Sequence, residues 1–251
     1  KNLQPSWLKA GSVSGHSSQR SINLLFAGML YRGPLFRCGV AASRAPTSTS
    51  VVTPPLVKPR SLPEMTHEHW QPALEQVSAY CKNTLPEQVL KTFRSQDFQE
   101  TDFGMAINLY QHGLQTGTRA LRNGEDEEMV VMALLHDMAE HLVPSGHGVA
   151  SAMILGPYLS ERNRWILENH EVFQGFYYYH LAGKDPNTRD RHRDSPHFDA
   201  CARFCELYDM PSFDPDYPSE PLETFVPMVH RFFSKPPAAQ GDCVMMDVGA
   251  E

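Results

Sequence analysis

Apolar residues recur at helical spacing along most of the chain. Over residues 103–121, Phe103, Ile107, Tyr110 and Leu114 fall three or four positions apart, and the pattern stops at the turn pair Asn123-Gly124. Asp126, Glu127 and Glu128 follow, acids placed where a helix N-terminus favours them. The helix they open is predicted to run through the apolar segment ending at Leu135 to about His141. Pro144-Ser145-Gly146 reads as a turn, and residues 147–155 as the next helix. Ser160 caps a further one carrying Trp165, Ile166, His170 and Phe173. Ser195-Pro196 places a cap and a first-turn proline before a helix that continues to Asp209. Residues 210–221 are irregular, and residues 222–233 form a last helix before Lys235-Pro236-Pro237. Upstream, residues 68–91 give a weakly patterned helix pair broken at Pro86. No segment alternates as a strand does, and no repeat is present. The expectation is an all-α bundle of at least six helices.

Charge divides the chain. No Asp or Glu precedes Glu64, while residues 1–63 hold eight Lys or Arg; the whole chain is −7, so the remainder carries −15. A net-acidic body argues against a nucleic-acid partner, whose phosphates need basic faces. Residues 46–63 contain five prolines and read as a linker, so the folded domain is expected over 64–238, with a tail at 239–251. The first 63 residues are basic and rich in Ser and Pro, the composition of an organelle transit peptide, and equally of a plain disordered tail. The expected location is soluble and intracellular, mitochondrial or plastid if that extension is a transit peptide. The apolar stretch at 22–30 is nine residues, against the ~20 that a membrane span requires. Five cysteines without a CxxC pair suit a reducing compartment; Cys201 and Cys205, four apart, read as small core residues.

Candidate chemistry lies in an ordered series of side chains: His112, His136, Asp137, His147, His170 and Asp209. Each stands on or beside a predicted helix. Imidazole and carboxylate without thiolate suit Fe, Mn or Zn. Six such groups exceed what one ion takes from a protein. Adjacent His136 and Asp137 point in different directions on a helix, so the imidazole can bind one ion while the carboxylate bridges to a second. Taken singly, each has an ordinary reading as a hydrogen-bonded histidine or a capping aspartate; the set points to metal. His67 and His69 read as surface residues, His180 as a buried, satisfied histidine, and the stripe Phe173, Phe176, Tyr177 and Tyr178 as core.

The order His, His-Asp, His, His, Asp resembles the two-metal form of the HD-domain superfamily over about residues 100–235. The segments DFGMAINLYQHGLQTGTRA, ALLHD, ENHEVFQGFYYYH and ARFCELYDMPSFDPDY are similar to the branch that holds inositol oxygenase and the mixed-valent diiron oxygenases of phosphonates. The resemblance implies that His112, His136 and Asp209 bind one metal, that His147 and His170 bind the other, and that Asp137 bridges. It implies two iron ions resting as Fe(II)/Fe(III), with Mn or Mg as the alternative, and a small-molecule substrate together with O2. Gln115 and Arg119 share a helix face with His112, so Gln115 is a candidate to orient an imidazole, ahead of Glu168 and Asn169.

Two departures bear on substrate. Where inositol oxygenase has a substrate-holding lysine three residues after the HD aspartate, this chain has Glu140. Where the phosphonate oxygenases carry a tyrosine and a glutamate, an ungapped alignment puts Asp102 and Met105. Glu140, His141, Lys184 and the arginines Arg189, Arg191 and Arg193 are the candidate substrate-facing groups, with Asp137 and Glu140 in catalytic roles. The expected function is a diiron oxygenase acting on a small polar, polyol- or phosphonate-like substrate. The alternatives are an HD-type phosphohydrolase and a non-catalytic module that kept the fold.

Overall fold

A computed structural model describes residues 56–238, and they contain helices and turns with no strand. The extension and tail expected over residues 1–55 and 239–251 lie outside them. Eight α-helices occur in this order: α1 (His67–Asn83), α2 (Leu85–Arg94), α3 (Leu109–Arg122), α4 (Glu127–Leu135), α5 (His147–Leu155), α6 (Glu161–Tyr178), α7 (Phe198–Phe204) and α8 (Leu222–Ser234). No helix among the described residues is long and apolar enough to cross a membrane.

Helix α4 is the axis of the domain. Asp126 caps it, accepting from the Met129 amide at 2.8 Å. Every residue from Met129 to Leu135 is buried, so the helix is apolar on all sides, as a central helix must be. Each such aliphatic side chain contributes ~1.5–3 kcal/mol relative to an exposed position. Helices α3, α6 and α8 pack around α4, and α5 and α7 pack on α6. Phe93, Phe173, Phe204, Phe225, Phe232 and Phe233 fill the space between.

The α3–α4 contact depends on small residues. A Cβ at Gly113 would stand 2.6 Å from the Leu134 carbonyl oxygen, and one at Gly117 would stand 3.1 Å from the Leu134 Cβ. The two glycines, four apart, let the backbones approach as side chains would not.

Several boundaries differ from the periodic reading. Helix α3 begins at Leu109 rather than at residue 103, because Asn108 caps it: its side chain accepts from the Gln111 amide at 2.9 Å. Residues before Asn108 form a 3-10 turn (Gln99–Thr101) and loops. Helix α4 ends at Leu135, not near His141. Beyond it the bonds are short-range, Met138 N–H to the Leu135 carbonyl and Glu140 N–H to the Asp137 carbonyl. Side chains add to this turn: His136 Nδ1–H donates to the Ala133 carbonyl at 2.9 Å, and the buried Gln96 amide donates a second bond to the Asp137 carbonyl at 2.8 Å. The helix expected to reach Asp209 gives way after Phe204 to a π-helical turn, Cys205–Asp209, closed by Met210 N–H on the Cys205 carbonyl. Such wide turns often occur at functional sites.

Of the aromatic run after Phe173, only Tyr177 packs against the core, half-buried. Phe173 is buried, while Phe176, Tyr178 and His180 are exposed, since α6 ends there and turns outward. Cys201 and Cys205 are buried thiols, as small core residues should be.

Candidate metal centre

The six acid and imidazole side chains, spread over 98 positions from His112 to Asp209, converge beneath α4. His112 comes from the first turn of α3, His136 and Asp137 from the turn after α4, His147 from the first residue of α5, His170 from mid-α6 and Asp209 from the π-helical turn. All six are buried. They form two groups that share Asp137: His112, His136, Asp137 and Asp209 in one, Asp137, His147 and His170 in the other.

Both carboxylate oxygens of Asp137 are engaged, on opposite sides. Oδ2 lies 2.9 Å from His136 Nε2 and 3.3 Å from His112 Nε2. Oδ1 lies 3.1 Å from both His147 Nε2 and His170 Nε2. Asp209 Oδ1 completes the first group at 3.3 Å from His112 Nε2 and 3.6 Å from His136 Nε2. Separations near 3 Å are those of neighbouring donors around an ion ~2.1 Å from each.

The hydrogen-bond pattern identifies which nitrogens are free. Backbone carbonyls only accept, so the Nδ1 atoms bound to them carry protons: His112 to Ser212 at 2.9 Å, His136 to Ala133 at 2.9 Å and His170 to Leu167 at 2.8 Å. Neutral rings held this way point an Nε2 lone pair inward. Yet His112 Nε2 faces His136 Nε2 at 3.2 Å, and His147 Nε2 faces His170 Nε2 at 3.2 Å. With Nδ1 protonated on both His112 and His136, their facing Nε2 lone pairs repel unless a cation, a proton or a metal ion, lies between them. His147 Nδ1 has no hydrogen-bond partner, so that ring can instead donate from Nε2 to His170. The buried Asp209 Oδ1 also has no hydrogen-bond partner, as a metal donor would not.

The electrostatics agree in sign. Burial alone pulls the His112 and His147 imidazoles down, but the neighbouring carboxylates outweigh it and lift both to about 9. His136 is raised further by Asp137 and Asp209 against the same opposing burial. Burial pushes the Asp137 and Asp209 carboxyls up, and the surrounding histidines reverse this and hold both below the usual carboxylate range. The site therefore attracts positive charge into a buried space.

A cavity of about 110 Å3 opens onto the first group. His112, Asp137, Glu140 and Gln174 line its inner part, and Asp102, Phe103, Met105, Asn108 and Phe213 are among the rest. Glu140 therefore does stand at the cavity. Burial, followed by the charge of Asp137, raises its carboxyl to about 7.

Other expected site residues are elsewhere. His141 faces α2, with Nε2 3.3 Å from the Ser95 hydroxyl, and it does not line the cavity. Lys184 is exposed over the Tyr179 ring. Arg189 stacks on Phe176 at 3.7 Å, Arg193 pairs with Asp190 at 3.1 Å, and Arg191 donates to His192. This basic segment is folded as 3-10 turns (Pro186–His192) and its cations are held by local partners, away from the cavity. Gln115 hydrogen-bonds to Asp214 rather than to an imidazole. Its amide donates to the Asp214 carbonyl at 2.6 Å and so pins the loop whose Phe213 ring stacks on His112 at 4.3 Å. Glu168 pairs with Arg164, and Asn169 donates to the Trp165 carbonyl.

The orienting groups that matter had no periodic signal. Gln174 Nε2 donates to Asp209 Oδ2 at 2.7 Å, which turns Oδ1 toward the histidines. Four residues beyond His170 on α6, it shares that face of the helix, which is the only clue the sequence holds. Glu171 accepts from the Gly146 and Gly148 amides at 3.1 and 2.7 Å, securing the N-terminus that presents His147. Gln174→Leu is expected to weaken metal binding at the first group ~10–100-fold and to spare the second. Competition against a chromogenic chelator measures this, and unchanged affinity at the first group removes the orienting role of Gln174.

Comparison of the sequence with protein-family models and with curated proteins finds no match. The described residues thus define an all-helical domain with a buried histidine and aspartate cluster able to hold metal.

Proposed function

We propose that this chain is an HD-domain metalloenzyme with a dinuclear iron centre, an oxygenase that uses O2 to oxidise a small polar substrate. The observation that carries the reading is the single carboxylate of Asp137, which gives one oxygen to each of two buried donor groups. Four imidazoles against two carboxylates favour iron over Mg, which prefers oxygen donors. Two iron ions held there would supply the redox chemistry that activates O2 for removal of hydrogen from a substrate carbon.

The remaining roles belong to the chain's own residues. Asp137 holds the two groups in register. The Ser212, Ala133 and Leu167 carbonyls keep three imidazoles in the Nδ1–H tautomer, which presents an Nε2 lone pair. The second group has three protein donors against four in the first, which leaves room there for a further donor. Glu140, on the cavity wall, meets substrate bound beside Asp137. The phosphohydrolase alternative would use the same donors, since two metal ions can themselves clamp a phosphate ester; no Lys or Arg lines the cavity among the described residues to add to that hold.

The test is metal analysis with spectroscopy. The protein is isolated without chelator, its metals are quantified, and electron paramagnetic resonance is recorded at low temperature after partial oxidation. Two irons per chain with a mixed-valent signal are expected. Tightly held Mn or Mg with phosphatase turnover and no oxygen uptake would overturn the oxygenase in favour of the hydrolase.

A further inference from the structure

The cavity over the metal centre has a charge and ring pattern of its own. Its lining includes two carboxylates outside the donor groups, Asp102 and Glu140, and two phenyl rings, Phe103 and Phe213. Among the described residues it includes no Lys or Arg. Asp102 accepts only from the Gly104 amide, at 2.9 Å through Oδ1. Glu140 has His147 Nδ1 at 4.0 Å and no Lys or Arg partner. Both carboxylates therefore keep acceptor capacity toward the cavity. Phe103 is held there with φ at +46°, a left-handed conformation costly for a bulky side chain, and it remains 53% exposed. Carboxylates without Lys or Arg beside them, combined with aromatic faces, form a receptor for a cation, since ammonium is attracted to the face of a ring and gives charge-assisted hydrogen bonds to carboxylate.

We propose that the substrate is a small cationic amine bearing a hydroxyl, an amino alcohol, bound with its oxygen toward the metal centre and its ammonium against Asp102, Glu140 and Phe103. The proposal rests on the metal reading above and narrows its substrate class. Volume sets the size. The cavity, about 110 Å3, is smaller than the ~150 Å3 that encloses benzene, so the ligand has about five non-hydrogen atoms. An oxygen donor belongs at the inner end, where His112 and Asp137 line the wall. A phosphate or phosphonate group would set its charge against Asp102 and Glu140, with the metal ions but no guanidinium or ammonium to offset it.

The experiment is a calorimetric titration of the metal-loaded full chain with three probes: 2-aminoethanol, its neutral isostere propan-1-ol, and methylphosphonate. The expected order is 2-aminoethanol first by about tenfold or more over propan-1-ol, the scale of one charge-assisted contact, with methylphosphonate weakest. In Asp102→Asn and in Glu140→Gln the advantage of the amine is expected to shrink about threefold or more, with metal content and propan-1-ol affinity unchanged. Equal binding of amine and alcohol, or tightest binding of methylphosphonate, overturns the inference. So does an amine preference that survives both variants, since it would then come from nitrogen ligating the metal. A chain that cannot be loaded with two ions overturns the metal reading itself, and that failure is visible before any probe is added.

Discussion

Asp137→Asn is expected to lower metal content from two ions per chain to less than one, measured by elemental mass spectrometry on protein purified without chelator. The substitution keeps the shape of the side chain, so the fold around it is retained. It replaces a carboxylate whose two oxygens face different histidine pairs with an amide that offers one oxygen and one N–H2. Whichever way the amide sits, its nitrogen points at a pair of Nε2 atoms and donates where a cation is needed. The negative charge that offsets two cations in a buried space is also gone. The loss should exceed the ~10–100-fold effect of removing a group that only orients a ligand. His170→Ala is the comparison: it removes a donor from the second group alone, and about one ion per chain should remain. Two ions retained in Asp137→Asn would mean that this carboxylate bridges nothing.

Gly148→Ala is expected to destabilise the domain by ~1–3 kcal/mol and to weaken the second metal group while sparing the first. Gly148 follows His147 at the start of α5 and lies against α6. A Cβ there would be 2.7 Å from the Leu167 carbonyl oxygen and 2.9 Å from His170 Cε1. The carbonyl is helix backbone and also the acceptor that orients His170 at 2.8 Å, so neither neighbour can yield without disturbing the site. Relief comes by moving α5 away, which separates His147 from His170. Overpacking of this kind costs ~1–3 kcal/mol. At ~2–4 °C per kcal/mol for a domain of this size, the melting temperature falls by several degrees. Val149→Ala, at an exposed position one residue on, should change stability by no more than ~0.5 kcal/mol. Equal melting temperatures for the two variants would refute the close approach of α5 and α6.

Much of the helical plan was legible along the chain, because its signals are local. Ser160 was readable as a cap and Asp126 as an acid at a helix start, and their side chains accept from the Asn163 and Met129 amides. The uninterrupted apolar run before His136 marked a buried helix. Pro86 marked the junction of the first two helices, and α2 indeed opens with that proline in its first turn. Boundaries failed where tertiary partners compete with the helix for backbone groups. Periodicity continues to His141, but the His136 ring bonds the Ala133 carbonyl, the Gln96 amide bonds the Asp137 carbonyl, and the backbone bonds beyond Leu135 tighten to short range. The aromatic run after Phe173 failed for the reason that composition cannot say which end of a helix leaves the core.

The candidate site divides in the same way. The sequence by itself determined the donors and their order: His112, His136, Asp137, His147, His170 and Asp209 stand at spacings that local chemistry alone does not require. It also determined that Glu140, not lysine, follows the His-Asp pair. Only the tertiary structure decided that these six residues meet, that Asp137 faces two groups at once, and that Gln174 rather than Gln115 holds a donor in place. It also removed Lys184, His141 and the three arginines from the cavity wall, leaving acids and rings. The physical reason is that donor identity is a property of single side chains. Donor geometry depends on distances of about 3 Å between helices far apart in sequence, set by how closely glycine-bearing faces of α3 and α5 pack.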